Sequence, residues 1–292
     1  MEIIGHQKII NLLDRAIAKD AVSHAYLFSG PESVGKFTVA LDFAERLIGN
    51  IDSISSDLIS IKPEIEENKG VIKKLDIKIE AIRNLLHKLS LTSVGGRYKV
   101  VIIDDADRLN RTAQNALLKT LEEPNAKVVL ILVCQDERKL LPTIISRCQK
   151  MRFGLVKEAE IEKIVPNGAI NKKEVIFWSV GRPGIAMSIL NNPTELGWRQ
   201  DTLQEFGGLF SKNVSEKFVL AEAWSKDIGE LHKKLKLWLI ILRLAMLGKS
   251  QSAKVAPEAA LILIEAIAES VKTIKETNSN TRLILENLLL KF

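Results

Sequence analysis

The chain alternates short apolar runs with stretches of helical apolar spacing, and the pattern changes about halfway along. Leu12, Leu13, Ala16 and Ile17 recur on one face, which predicts a helix over residues 11–19. Ala25, Tyr26, Leu27 and Phe28 form a brief apolar run closed by Ser29, Gly30 and Pro31, the pattern of a buried strand entering a turn. Helical spacing returns over residues 38–48. Residues 49–78 are polar and irregular, so a loop with one short extended piece at 58–61 is expected. Ile79, Ile82, Leu85, Leu86 and Leu89 fall on one side of a helix over 79–91. Residues 98–103 and 128–134 are continuous apolar runs, and a helix over 112–122 between them stops near Pro124. Unbroken apolar strands alternating with helices predict an α/β domain, a parallel sheet with helices on both faces.

Beyond about residue 153 the strand-like runs stop. Short helices are expected over 158–164 and 172–180, then a sharp break at Gly181, Arg182, Pro183 and Gly184, then a helix over 184–190. The remainder reads as helices over 201–210, 215–225, 228–247, 257–277 and 281–290. Pro257 suits a first helical position, and Thr281 is the expected cap of the last helix. The apolar stretch 235–247 is interrupted by Lys236 and Arg243 and is too short to cross a bilayer; it reads as a buried helix.

Composition narrows this picture only a little. The 292 residues are 46% hydrophobic, enough for two or three domains. The net charge of +6 is spread along the chain, so no segment reads as a basic arm, although the excess suits contact with phosphate. Cys134 and Cys148 form no CxxC pair, so no metal site and no zinc is expected, and a reduced cytoplasmic setting is. The first residues lack the basic start and apolar core of a signal peptide, and no membrane partner is expected.

Three motifs carry chemistry. Gly30 to Thr38 follows G-x-x-x-x-G-K between a strand and a helix, where backbone N–H groups and a helix N-terminus wrap phosphate. Gly30 and Gly35 shape the loop, and Lys36 reaches the outer phosphates. The residue after the lysine normally ligates Mg²⁺ through a hydroxyl; here it is Phe37, and Thr38 lies about 100° further around the helix. Asp104, at the end of an apolar strand, is the candidate metal-side carboxylate, and Asp105 stands where an active enzyme commonly uses Glu to activate water. Ser146-Arg147-Cys148 supplies a guanidinium suited to phosphate charge in a neighbouring subunit.

These motifs, in order, resemble those of the AAA+ clamp-loader family. Gly5-His6-Gln7, the run Ser23 to Phe28, Asp104 to Asp107, Asn115-Ala-Leu-Leu-Lys-Thr-Leu-Glu-Glu-Pro124 and Ser146 to Cys148 all match it. The likeness is dense before residue 155 and thin between about 195 and 275; within the family it is strongest to delta-prime-type chains, including the tail Asn280 to Leu290. The resemblance implies a RecA-like AAA+ domain over 1–155, a small helical lid over 156–197 and an all-helical collar over 198–292. It implies a stator of DNA polymerase III: a subunit that helps load the sliding clamp onto primed DNA beside gamma/tau and delta subunits. In that role Arg147, with Ser146, serves a neighbour's ATP site. Gln135 falls near the sensor-1 position, and Gly184 stands at the sensor-2 place with Arg182 nearby but out of phase. ATP or ADP can bind such a loop, none is required, and hydrolysis is expected to be lost. An active gamma/tau-like motor subunit is the alternative. Lys78 and Arg83 are the candidate DNA contacts.

Overall fold

In a computed structural model, residues 3–49, 57–68, 71–90, 98–124, 127–166, 171–248, 255–276 and 280–292 are described. The chain divides into two compact units, one of residues 1–64 and 74–191, the other of 65–73 and 192–292.

The first unit is built on a five-stranded sheet. Its strands are β1 (Ala25–Ser29), β2 (Leu58–Ile61), β5 (Lys99–Ile103), β6 (Val128–Cys134) and β7 (Gln149–Arg152), in the order β2-β5-β6-β1-β7. Every pairing is parallel. Alternate residues face opposite sides. Tyr26, Phe28, Val100, Ile102, Val129 and Ile131 pack with Leu13 of α1 (Gln7–Ala18) and with Phe43 and Leu47 of α2 (Lys36–Ile48). Leu27, Val101, Ile103, Leu130 and Leu132 pack on the other side. There they meet Ile82 and Leu85 of α3 (Ile79–Ser90) and Leu117 and Leu121 of α4 (Arg111–Glu122). The fold class is therefore α/β with a parallel sheet, as the apolar pattern predicts, in the RecA-like arrangement that the resemblance implies. The helix expected over 79–91 is present through Ser90, and Leu91 lies outside the described residues.

Two features depart from the sequence reading. β7 was not expected, because only Met151 of its four residues is buried at the sheet edge. The polar stretch 49–78 holds more than the expected β2: β3 (Ile65–Asn68) and β4 (Val71–Lys74) pair as a separate two-stranded ribbon.

The unit continues through the short α5 (Pro142–Ile145), α6 (Glu158–Ile164), α7 (Lys172–Ser179) and α8 (Pro183–Asn191). Val180 and Gly181 both take left-handed backbone between α7 and α8, which makes the expected break.

The second unit holds α9 (Thr194–Gly208), α10 (Val214–Ser225), α11 (Ile228–Met246), α12 (Pro257–Glu276) and α13 (Thr281–Leu289). Its centre is aromatic: the Trp238 ring lies 5.6 Å from Phe206, 5.5 Å from Trp224 and 5.5 Å from Phe292, all edge-on. α9 begins several residues before the expected start at 201. The last helix is capped by Asn280, whose side chain accepts from the Arg282 N–H, rather than by Thr281, which falls at the first helical position. Asn280 is the extended residue just before the helix, the position from which a side-chain oxygen can accept from a first-turn N–H. Among the described residues no helix is long and apolar enough to cross a membrane.

Candidate functional site

The phosphate loop leaves β1 at Gly30. There the backbone runs so close to Phe153 that a Cβ on Gly30 would lie 2.2 Å from its carbonyl oxygen. Ser33 and Gly35 adopt left-handed backbone, with φ of 62° and 100°, and Gly35 caps α2. Val34, between them, is buried, and its carbonyl accepts a 2.9 Å hydrogen bond from His6 Nε2. A carbonyl can only accept, so that ring nitrogen carries the proton. The His6 ring also meets Phe153 edge-on at 4.8 Å. The Gly5–His6 segment is thereby fixed to the loop it precedes by some 28 residues.

Lys36 begins α2 and is buried. Its ammonium donates to the carbonyl of Gly30 at 2.8 Å and of Pro31 at 2.5 Å, so it closes the loop on itself. Burial pushes its pKa down, against the pull of nearby groups that include Asp104, Asp105 and Glu32.

A cavity of about 750 Å³ opens over this loop. Gly35, Lys36, Thr38, Asp104, Asp105 and Gln135, all singled out by the sequence, line it together. Asp104 begins the turn after β5, where burial and then the charge of Asp105 push its carboxyl up, while Lys62 and Lys74 draw it down. Asp105 has left-handed backbone at φ 48°. Its Oδ2 accepts from Lys74 Nζ at 2.5 Å, and its Oδ1 accepts from Gln135 Nε2 at 3.4 Å. The Gln135 backbone N–H donates to Asp107 at 3.1 Å.

Phe37 also lines the cavity, and Lys62 Nζ sits 4.1 Å from its ring centroid. Neither Lys62 nor Lys74 carries a sequence signal, because both lie in the polar stretch that reads as loop. Gly184 also joins the cavity: its N–H donates to the Ser33 carbonyl at 2.9 Å, and a Cβ there would lie 3.0 Å from that oxygen. Arg182 does not line the cavity; its backbone N–H donates to Ser179 in the turn before α8.

Ser146 and Arg147 stand apart from the cavity, just after α5. The Ser146 hydroxyl donates to the Thr143 carbonyl at 3.1 Å. Arg147 donates to the same carbonyl at 3.0 Å and meets Glu122 at 2.8 Å. Buried Gln114 holds this region to α4: its amide donates to the carbonyls of Leu109 and Lys139 at 2.9 and 3.1 Å, and its oxygen accepts from Leu141 N–H at 2.7 Å. Lys78 and Arg83 are exposed at the start and on the outer side of α3. Burial pushes the thiols of Cys134 and Cys148 up to about 12. Among the described residues no three His, Cys, Asp or Glu side chains converge as a metal cage.

Comparison with known proteins gives this geometry a family. Residues 5–157 match the family model for the DNA polymerase III delta subunit. A DNA polymerase III subunit gamma of Buchnera aphidicola is 31% identical over 263 residues, covering 82% of this chain and 72% of that protein. A DNA polymerase III subunit delta' of Bacillus subtilis is 34% identical over 171 residues, 53% of this chain and 49% of that protein. A tau subunit of Salmonella typhimurium is 35% identical over 170 residues, 56% of this chain; the match spans only 26% of that longer protein. A gamma-subunit-related protein of Thermotoga maritima shares the fold with a TM-score of 0.56 at 20% identity, over 95% of this chain and 97% of that one. The chain belongs to the family of DNA polymerase III clamp-loader subunits.

Proposed function

We propose that the chain is a delta-prime-type stator: it assembles with gamma/tau and delta subunits, lends Arg147 to a neighbour's ATP site, and does not turn over ATP at its own loop. The observation that carries this is the contrast between the two halves of the chemistry. In its own cavity Phe37 stands at the metal-hydroxyl position and Asp105 is held by Lys74. Arg147, by contrast, lies outside that cavity with about a third of its side chain exposed, where a partner can meet it. A guanidinium offered across an interface stabilises phosphate charge without needing a competent site beside it.

On this reading residues 156–197 act as a lid and 198–292 as an assembling collar. The sliding clamp and primed DNA are the assembly's substrates, and Lys78 and Arg83 are candidate phosphate contacts. The setting is cytoplasmic. ADP or ATP is not required for the chain's own part.

Reconstituting the loader with companion subunits and the clamp tests it. Arg147→Ala is expected to depress the ATPase of the assembly while leaving co-elution intact; unchanged ATPase overturns the proposal. The relatives that match include gamma and tau chains, which favours testing the motor reading as well. ATP hydrolysis by the isolated chain that Lys36→Ala abolishes would assign it a motor's role instead.

A further inference from the structure

In a loader site of this fold, a divalent cation bridges carboxylates and nucleotide phosphates. The residues here do not fit one. Mg²⁺ requires close to six oxygens in near-octahedral arrangement, yet the side chain next to the loop lysine is the hydrocarbon ring of Phe37. Of the two carboxylates, Asp105 has only 12% of its side chain exposed, and both of its oxygens are engaged, by Lys74 at 2.5 Å and Gln135 at 3.4 Å. Lys74 also lies 3.9 Å from Glu32 of the phosphate loop. A second ammonium, Lys62, covers Phe37 and bears on Asp104. A divalent ion entering this pocket would meet Lys36 and Lys74, which line it, before it found a complete oxygen shell.

We infer that the Lys74 ammonium is the resident cation of this pocket: it takes the charge role of the metal, neutralises the buried Asp105, and makes the pocket reject divalent cations. The geometry has a simple logic. A buried carboxylate needs a partner, and β4 delivers one on its last residue, 31 positions away in sequence. Lys74 is thus tied to the loop and to the acidic pair at once, an arrangement that a metal would otherwise provide only when bound. The inference rests on the reading that this loop is not a metal-dependent ATPase, but it concerns the isolated chain, so its failure would leave the Arg147 experiment untouched.

Titration of the full chain with Mn²⁺, followed by electron paramagnetic resonance, reads it directly. Wild type is expected to show no saturable binding, and neither Mg²⁺ nor EDTA should move its melting temperature. Lys74→Met should raise the apparent Mn²⁺ affinity by at least about tenfold, because removing a unit charge a few ångströms from a divalent site shifts its affinity by more than a decade. That gain should vanish when Asp105→Asn is added. Lys74→Arg, which keeps the charge, should behave as wild type; if the methionine variant does not fold, Lys74→Gln, which also removes the charge, should show the same gain. Saturable Mn²⁺ binding to wild type that Asp105→Asn removes would overturn the inference. So would a folded Lys74→Met variant with no gain, or a Lys74→Arg variant that binds Mn²⁺ as tightly as any metal-competent site.

Discussion

The Arg147 guanidinium lies 2.8 Å from the Glu122 carboxylate, with 35% and 49% of the two side chains exposed. Exposed pairs of this kind contribute about 0–1 kcal/mol. The contact therefore orients the arginine without binding it fast, and in the proposed stator role Arg147 can leave Glu122 for a phosphate at little cost. Glu122→Gln should change the urea unfolding free energy of the isolated chain by less than about 1 kcal/mol. A larger loss would mean that Glu122 is part of the fold's support and not a resting place for the arginine.

Gln114 should behave in the opposite way. It is 5% exposed and uses its amide hydrogens and its oxygen to join Leu109, Lys139 and Leu141. Gln114→Leu keeps the volume but leaves a buried N–H and carbonyls without their partner. An unsatisfied buried group costs about 1–3 kcal/mol, and a loss in that range is expected from urea midpoints at unchanged m-value. Equal stability of the leucine variant would show that water replaces all three bonds.

Much of this fold was legible because burial and sequence agree at its centre. β5 and β6 are fully buried, and their valines, isoleucines and leucines advertise it. The edge strand β7 escaped because three of its four residues face solvent and carry polar side chains. The ribbon of β3 and β4 escaped because Ile-Glu-Glu-Asn and Val-Ile-Lys-Lys have too little apolar alternation to distinguish them from loop. The site divides along the same line. Phe37, Asp105 and Arg147 stand within motifs whose spacing sets their place, so the sequence exposes them. Lys74 reaches Asp105 only through tertiary structure, and no local pattern marks a lysine that will partner a carboxylate 31 residues on.

The two loop glycines are required for different reasons, and substitution should separate them. Gly30→Ala would drive a Cβ to 2.2 Å from the Phe153 carbonyl, which is backbone and cannot rotate aside. Overpacking of this kind costs about 1–3 kcal/mol or more, in addition to the strain of its backbone at φ 151°. A Cβ on Gly35 meets nothing within 4 Å. Its φ of 100° leaves only backbone strain, on the order of 1–3 kcal/mol. Gly30→Ala is therefore expected to lower the melting temperature more than Gly35→Ala. The reverse order would mean that Phe153 moves away freely.

His6 gives the stability of the first unit a pH dependence with a definite sign. Burial lowers its pKa, only partly opposed by the Val34 hydrogen bond, and Lys36 lowers it further. The folded chain thus prefers neutral His6, while the unfolded chain titrates near the ordinary value of about 6.5. The stabilisation linked to His6 is complete above that unfolded value and is lost as the pH falls through the lower folded value. Protonation in the fold would bring a positive charge beside buried Lys36. Urea unfolding followed from about pH 8 to about pH 5 should show wild type losing more stability than His6→Asn, which has no titrating side chain at that position. Asp104, whose carboxyl is raised, works in the other direction, but it is common to both proteins and cancels in the difference. Parallel profiles for the two chains would mean that His6 accommodates its proton where it stands, through a rearranged contact with Val34.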